Sequence, residues 1–214
     1  MHARQTSLYL VRHGETDWNA ARRIQGATDI ELNDTGREQA TTTGRLLARR
    51  GWDGIYSSPL SRAMETASII AAEVGLGSPG ALAELVERNY GEAEGLNWEQ
   101  IETRYPGNTV VPGRESHEDV AARAVPALTA LAQAHPGESL IVVSHGGVIR
   151  SVLNAVDPST RHGAITNGSI HSFQLVDGSL ELVAFDDPID ELSLEFGADD
   201  LDDQNALENR DARA

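Results

Sequence analysis

The sequence predicts an α/β protein, a three-layer α/β/α sandwich built around a mostly parallel central sheet. Two apolar runs, at 8–11 and 140–143, indicate buried strands, because neither alternates apolar with polar residues as a half-exposed strand does. Between these two runs the apolar residues recur mainly at helical spacing. A chain in which strands alternate with helices forms a sheet that is covered by helices on both faces.

Capping signals and apolar periodicity predict the first elements after the strand at 8–11. Residues 35–38 have the composition of a capping box, which predicts a helix that ends before Gly51. Residues 55–56 indicate a short strand. We expect Ser58 to cap the next helix and Pro59 to occupy its first position. The residues that form its apolar stripe are Leu60, Ala63, Met64, Ala67, Ile70, Ala71 and Val74.

The second half of the chain is predicted to begin irregularly and to end in a hairpin. Residues 76–115 contain six glycines and three prolines, which indicates loops, with one short helix at about 98–104. The remaining predicted elements are, in order, a helix from Ser116 to about Ala134, a helix at 147–156, and a hairpin of strands 170–175 and 180–185 around Asp177-Gly178.

Composition divides the chain into a single domain at 1–188 and an acidic C-terminal extension at 189–214. From residue 186 to the end, 11 acidic residues stand against two arginines. Two interpretations of this extension remain open. It is either a flexible, solvated tail or an ordered segment that packs through Leu192, Leu194 and Phe196.

The charge distribution excludes several functional classes. The chain has 33 acidic residues, 17 arginines and no lysine, and its net charge of −16 argues against binding to nucleic acid or to a membrane surface. The absence of cysteine excludes disulfides and thiolate chemistry, and the absence of lysine excludes Schiff-base chemistry. No secretory signal and no apolar run of about 20 residues is visible, so we expect a cytoplasmic protein. Only the first 62 residues carry surplus positive charge, with nine arginines against seven acidic residues, so an anionic ligand is expected there.

Two His-Gly pairs follow the two buried strands. Ligands of open α/β sheets bind at the carboxyl ends of the strands, so His13 and His145 face the same small space if their strands are neighbours. Arg12 precedes the first histidine, and Arg62 lies in the first turn of the helix after Ser58. Two imidazoles, two guanidinium groups and free N–H groups at helix starts suit a compact, multiply charged anion such as a phosphoryl group.

Such a pocket indicates phosphoryl-transfer chemistry. A neutral imidazole attacks phosphorus and forms a phosphohistidine, while both arginines and the second histidine, if protonated, stabilise the phosphoryl oxygens. The leaving alkoxide requires a proton from a carboxylic acid. Glu87 is the candidate donor, although composition alone does not distinguish it from Glu92 or Glu94.

The chain resembles the histidine phosphatase superfamily, also called the phosphoglycerate mutase-like family, over about residues 7–175. The matching stretches are Leu10-Val11-Arg12-His13-Gly14-Glu15-Thr16-Asp17-Trp18-Asn19, Gln25-Gly26, Asp29-Ile30-Glu31-Leu32, Gly36, Ser57-Ser58-Pro59-Leu60-Ser61-Arg62-Ala63, Glu87, Tyr90-Gly91, Glu94-Gly95 and Ser144-His145-Gly146. The resemblance implies the family's fold and a phosphorylated nucleophile at His13. It also implies a phosphate-binding quartet completed by Arg12, Arg62 and His145, and Glu87 as proton donor and acceptor. The secondary phosphate contacts that it implies are Thr16, Asn19, Gly26 and Gly146.

Three functions compete for this site: a phosphatase, a cofactor-dependent phosphoglycerate mutase, and a non-catalytic module that binds a phosphorylated ligand. We favour the phosphatase, because Glu87 and His145 are only 58 positions apart, which leaves little chain to cover a phosphohistidine against water. The substrate-binding lysine of the related mutases also falls on Trp98 here. We expect a small phosphorylated metabolite as substrate, no cofactor and no metal ion, and a homodimer is left open. Candidate specificity residues at the mouth are Trp18, Arg22, Arg23, Tyr90, Trp98 and Arg114.

Overall fold

The computed structural model describes residues 5–189. The predicted acidic extension therefore lies outside the described residues, apart from Ile189. Within residues 5–189, none of the helices combines the length and apolar character needed to span a membrane.

Six strands form one sheet, in the order β3-β2-β4-β1-β5-β6. The first four of these in spatial order pair in parallel, and the last two are antiparallel, so the predicted mostly parallel sheet is confirmed. The pair β5–β6 is the predicted hairpin, whereas the two-residue β3 was not predicted. The strands are β1 (Ser7–Arg12), β2 (Gly54–Ser57), β3 (Gly80–Ala81), β4 (Ser139–Ser144), β5 (Ile170–Val176) and β6 (Ser179–Ala184).

Six α-helices and two short 3₁₀ turns connect the strands. The helices are α1 (Asp17–Ala20), α2 (Asp34–Leu47), α3 (Ser61–Val74), α4 (Trp98–Arg104), α5 (His117–Ala134) and α6 (Gly146–Val156), and the 3₁₀ turns are Ala83–Leu85 and Gly91–Ala93. The short helix predicted at 98–104 is confirmed at both ends, and α5 begins after Ser116 through the predicted capping box with Asp119.

Two helix starts differ from the prediction. The side chain of Asn33, not that of Thr35, caps α2 by accepting a hydrogen bond from the N–H of Gly36. The residue that caps α3 is Leu60, not Ser58, and Pro59 lies outside the helix. The hydroxyl of Ser58 contacts His145 and accepts from the N–H of Leu60, one residue before α3 begins.

The core has one layer on each face of the sheet, because alternate strand residues point to opposite faces. On one face Leu8 and Leu10 of β1 pack with α5 and α6, and on the other Val11 packs with α3 and the end of α2. This arrangement confirms the three-layer sandwich. A third, smaller cluster lies under the irregular segment; its buried members are Ile24, Tyr90, Ala93, Ile101, Tyr105 and Val111.

Candidate active site

The two histidines of the predicted pair lie side by side at the carboxyl ends of adjacent strands. Strands β1 and β4 pair in register up to Arg12 opposite Ser144, so the next residue of each strand is a histidine. The ring centroids of His13 and His145 are 5.1 Å apart, and the side chains are almost fully buried. The convergence predicted from the sequence is therefore present.

His13 is held in the orientation of a nucleophile. Its Nδ1 atom lies 2.6 Å from the carbonyl oxygen of Gly14, and this contact places the proton on Nδ1 and leaves the lone pair on Nε2. Burial, followed by the charges of Arg62 and Arg12, lowers the pKa of His13 well below its usual value. The imidazole is therefore neutral at neutral pH, as attack on phosphorus requires.

Main-chain carbonyl groups position both arginines. Arg12 Nη1 donates to the oxygen of Ile165 at 2.6 Å, and Arg62 donates to the oxygens of Thr28 and Gly26, each at 2.8 Å. Burial lowers the pKa of Arg62 to about 10, so it remains a cation at neutral pH. The charges of Glu87, Asp29 and Glu94 act on Arg62 in the opposite direction to burial, so carboxylates lie near this guanidinium group as well.

Ser58 determines how His145 presents its ring. The hydroxyl of Ser58 lies 2.7 Å from Nε2 of His145 and accepts a hydrogen bond from the N–H of Leu60 at 3.4 Å. With Ser58 donating to Nε2, the ring proton lies on Nδ1, a buried atom with no hydrogen-bond partner within residues 5–189. Burial and the charge of Arg62 lower the pKa of His145 well below its usual value. His145 is thus neutral in this structure, and in the tautomer in which Ser58 donates to Nε2 the group available to donate is Nδ1–H.

The Glu87 carboxylate lies at the first turn of α6. It accepts hydrogen bonds from the N–H groups of Arg88 at 2.7 Å and of Gly147 and Val148 at 3.1 Å each. Only 2% of Glu87 is exposed, and its charge contributes to the pKa of Arg62, so the two side chains share one region. Glu87 therefore lies close to the arginine and histidine pair.

The two other candidate carboxylates have different roles. Glu94 accepts from the N–H groups of Ala27 and Thr28 at 3.0 Å each and fixes the loop that Arg62 contacts. Glu92 contacts Arg104 and Tyr105 at the surface. The structure thus separates three carboxylates that composition left equivalent.

Of the four predicted secondary contacts, the two glycines lie against the arginines, and the other two residues form a helix cap. Thr16 and Asn19 form the capping box that starts α1, which accounts for both side chains structurally. Gly26 has a φ of +57° and presents its carbonyl to Arg62. Gly146 opens α6, and a Cβ atom built there would lie 3.6 Å from Nε of Arg12, so its backbone borders the guanidinium group.

The predicted mouth residues are less uniform in position. Tyr90 is fully buried and its hydroxyl faces Gly147, so its assignment to an open mouth is corrected. The side chain of Trp98 packs on the third cluster. Arg114 forms an isolated antiparallel β-bridge with Tyr90 through the main chain. Arg23 donates to the oxygen of Gly95, against which Trp18 also packs, and Arg22 adopts a positive φ of 52°.

Sequence reasoning missed three residues around the centre. Ser58 was interpreted as a helix cap, although the Ser57-Ser58-Pro59 stretch was noted. Gln25 is 1% exposed, and neither its Oε1 nor its Nε2 atom has a hydrogen-bond partner within residues 5–189. Asn167 donates from Nδ2 to the main-chain oxygen of His13 at 2.8 Å, and no local sequence signal indicated this contact.

The geometry suits the binding of an oxyanion beside a nucleophile. Two cations, a neutral donor at His145 and a free imidazole nitrogen at His13 border one buried space. Within residues 5–189, no group of three or more histidine or acidic side chains is arranged to hold a metal ion.

Comparisons with known proteins agree with this geometry. The model of the histidine phosphatase superfamily, branch 1, matches residues 8–188. The chain is 37% identical over 175 residues to an uncharacterised phosphatase of Bacillus subtilis, covering 80% of this chain and 90% of that protein. It is 35% identical over 184 residues to a metal-independent phosphoserine phosphatase of Arabidopsis thaliana, covering 80% of this chain and 77% of that protein.

Mutases and solved structures are among the relatives as well. A 2,3-bisphosphoglycerate-dependent phosphoglycerate mutase of Methylobacterium radiotolerans is 34% identical over 170 residues, covering 72% of this chain and 80% of that protein. A mycobacterial glucosyl-3-phosphoglycerate phosphatase structure superposes with a TM-score of 0.77 at 29% identity, covering 86% of this chain and 99% of that one. With its sheet order, its paired histidines and the match over residues 8–188, the chain belongs to the histidine phosphatase superfamily, whose members here are phosphatases and mutases.

Proposed function

We propose that this protein is a phosphatase that hydrolyses small phosphomonoesters through a phosphohistidine at His13. The observation that carries the proposal is the placement of His13, whose Nδ1 atom lies 2.6 Å from the Gly14 oxygen and whose ring centroid lies 5.1 Å from that of His145. Burial and the charges of Arg62 and Arg12 lower its pKa, which favours the neutral imidazole. A buried nucleophile beside preorganised cations stabilises the charge that develops on the phosphoryl oxygens.

The reaction has two displacements. Nε2 of His13 attacks phosphorus, the P–O bond to the substrate breaks, and the leaving oxygen takes a proton from Glu87, which enters this step as the carboxylic acid and leaves it as the carboxylate. Water then attacks the phosphohistidine, Glu87 takes the proton back, and the P–N bond breaks to release inorganic phosphate. The hydrogen bonds from the first turn of α6 fix the position of Glu87 for both proton transfers.

The mutase function is the second candidate. The stretch Glu87-Arg88-Asn89-Tyr90-Gly91 and the mutase relatives at 34% identity favour it. Trp98 argues against it, because an indole has no charge to pair with a substrate carboxylate. A phosphatase of phosphoserine or of a phosphoglycerate derivative is consistent with the relatives whose names include those substrates.

The first test is phosphate release with chelator present, using the wild type and His13→Ala. We expect metal-independent activity that falls about 10⁴-fold or more in the variant, because the nucleophile is lost. His135→Asn is the matched control, since His135 is bonded to Tyr56 and Glu138 near the start of β4, away from the site. Equal rates in wild type and His13→Ala would remove His13 from the mechanism.

A second test separates the two enzyme functions. Phosphoserine, 3-phosphoglycerate and p-nitrophenyl phosphate are ranked by kcat/KM for hydrolysis, and phosphoglycerate isomerisation is measured with and without 2,3-bisphosphoglycerate. Hydrolysis faster than isomerisation supports the phosphatase. Isomerisation that exceeds hydrolysis and depends on 2,3-bisphosphoglycerate would replace the phosphatase proposal with the mutase.

A further inference from the structure

A histidine that the proposed mechanism does not use is bonded to the residue that follows Glu87. His117 is the first residue of α5, and both of its ring nitrogens have partners. Nε2 lies 2.9 Å from Nη1 of Arg88, and Nδ1 lies 2.8 Å from the hydroxyl of Ser151. Arg88 follows Glu87 directly in the chain, and Ser151 lies on α6. His117 therefore joins the segment that carries Glu87 to the helix whose first turn donates to its carboxylate.

The partners of His117 determine its tautomer. A guanidinium group can only donate hydrogen bonds, so Nε2 accepts from Arg88 and the ring proton lies on Nδ1. Nδ1 then donates to the Ser151 hydroxyl, which in turn donates to the main-chain oxygen of Gly147 at 2.7 Å. Burial, followed by the charge of Arg88, lowers the pKa of His117 to about 3, so the ring is neutral at neutral pH. The hydrogen bonds therefore run in one direction, from Arg88 to Gly147.

Both ends of this hydrogen-bonded chain act on the carboxylate of Glu87. At one end, the N–H of Arg88 donates to Oε1 of Glu87 at 2.7 Å. At the other end, the N–H of Gly147 donates to Oε2 at 3.1 Å. Glu87 and Arg88 are each 2% exposed and Ser151 is 1% exposed, so most of the chain is shielded from water. The chain and the carboxylate thus form a closed ring of contacts.

The start of α6 has little room to move relative to Glu87. A Cβ atom built on Gly147 would lie 2.7 Å from Oε1 of Glu87, 3.0 Å from the Tyr90 hydroxyl and 3.1 Å from Cβ of Arg88. A general acid must lie within hydrogen-bond reach of the oxygen that it protonates, and a misplacement of about 1 Å is costly. A group that fixes α6 against Arg88 therefore also fixes the proton donor.

We propose that His117 is a positioning residue for the acid catalyst, tying Arg88 to Ser151 and so holding the Glu87 carboxyl within reach of the leaving oxygen. His117 transfers no proton itself and acts only through the main-chain groups that contact Glu87. The inference rests on the proposed function, because it assigns a supporting residue to the acid of that mechanism.

The test compares two substrates of similar size that differ in their need for a proton. Benzyl phosphate releases an alkoxide that requires a proton, whereas p-nitrophenyl phosphate releases nitrophenolate, which does not. In His117→Leu the side chain fills the space of the ring without hydrogen bonds. We expect kcat/KM to fall about tenfold for benzyl phosphate and less than about twofold for p-nitrophenyl phosphate. Equal losses on the two substrates, or no loss on benzyl phosphate, would overturn the positioning role, because a general loss of folded enzyme affects both substrates alike.

Two further variants control for folding and packing. His135→Leu is the matched control, because both ring nitrogens of His135 are also bonded, to Tyr56 and Glu138, outside the site. It is expected to leave the ratio of the two kcat/KM values unchanged. Ser151→Ala removes one hydroxyl from the same hydrogen-bonded chain and is expected to reproduce the selective loss on benzyl phosphate, whether or not His117→Leu folds. An unchanged ratio in Ser151→Ala, or a changed ratio in His135→Leu, would contradict the inference.

The Glu87→Gln background tests the coupling directly. With the acid removed there is no proton donor to position, so adding His117→Leu is expected to change kcat/KM for benzyl phosphate less than about twofold. A further tenfold loss in that background would show that His117 acts independently of Glu87 and would overturn the inference. His13→Ala, assayed on the same substrates, separates this inference from the proposed function. Retained activity in His13→Ala removes the phosphohistidine mechanism, whereas lost activity there, with an unchanged substrate ratio in His117→Leu, removes only the positioning role.

Discussion

Removing the Ser58 hydroxyl tests whether His145 acts as a neutral donor. In Ser58→Ala, Nε2 of His145 loses its 2.7 Å contact and is left buried without a partner. The ring proton is then free to occupy either nitrogen, and the tautomer with Nε2 protonated cannot donate from Nδ1 to a phosphoryl oxygen. Ser58 itself is fully buried, so water does not replace the lost hydroxyl without rearrangement.

The expected magnitude follows from two limits. An unsatisfied buried hydrogen-bonding group costs about 1–3 kcal/mol, and complete loss of one oxyanion donor costs about 10²-fold or more in kcat. We therefore expect kcat/KM to fall about 30-fold, or ~2 kcal/mol. The inhibition constant of orthovanadate, which mimics the trigonal bipyramidal phosphoryl group, is expected to rise by a similar factor.

Two further variants separate the effect on His145 from a loss of packing. Ser58→Thr keeps a hydroxyl and is expected to recover most of the activity. Ser57→Ala removes a neighbouring buried hydroxyl that donates to the oxygen of Ser58 and is expected to change kcat/KM much less. Unchanged kinetics in Ser58→Ala, or an equal loss in Ser57→Ala, would refute the assignment of the His145 tautomer.

Three other variants test the catalytic acid, the loop and the buried histidines. Glu87→Gln is expected to lower kcat/KM for phosphoserine about 10²-fold. The loss for p-nitrophenyl phosphate is expected to be far smaller, because nitrophenolate leaves without a proton. Glu92→Gln is the surface control, and equal losses on both substrates in Glu87→Gln would contradict the acid role. In Gly36→Ala the new Cβ would lie 2.1 Å from a main-chain oxygen, so we expect a loss of about 1–3 kcal/mol in unfolding free energy and reduced kcat/KM, unlike Gly51→Ala, where the space is open. Burial lowers the pKa of His171 to about 3, so protonation of the unfolded state reduces stability as pH falls below about 6.5, by up to ~1.4 kcal/mol per pH unit. Urea unfolding is measured at pH 7 and at pH 5. The free energy of unfolding is expected to fall less between these pH values in His171→Asn than in the wild type, and an equal fall in both proteins would contradict the contribution of His171.

The parts of the fold that the sequence predicted were those governed by local rules. Helix α4 and the start of α5 each depend on a side chain that caps a backbone N–H three residues later, and such spacing is visible in one dimension. The cap of α2 was misplaced by two residues because Asn33 and Thr35 are both competent caps, and only the tertiary approach of Gly36 to Glu15 selects between them. Strand β3 has two residues, too few for any periodicity.

The centre of the site was predictable because strand order brings the ends of two apolar runs together. The surrounding contacts were not, because they join residues that are far apart in the chain: Ser58 with His145, and Asn167 with His13. Tyr90 was misassigned for a related reason. An aromatic residue in a glycine-rich segment has the composition of a binding loop, yet this segment has its own small core around Tyr90.

In the proposed mechanism, burial supplies both the nucleophile and the groups that stabilise the phosphoryl oxygens. Desolvation lowers the pKa of His13 and of His145, which leaves one neutral imidazole to attack and the other to donate without adding charge. The same desolvation lowers the pKa of Arg62 only to about 10, so at neutral pH the guanidinium group remains charged. The pKa of a free guanidinium group is far higher than that of a free imidazole. The same buried environment therefore leaves the arginine charged and the histidines neutral. On the proposed function, a chain with a net charge of −16 therefore binds a phosphoryl dianion through buried guanidinium groups and not through a positively charged surface.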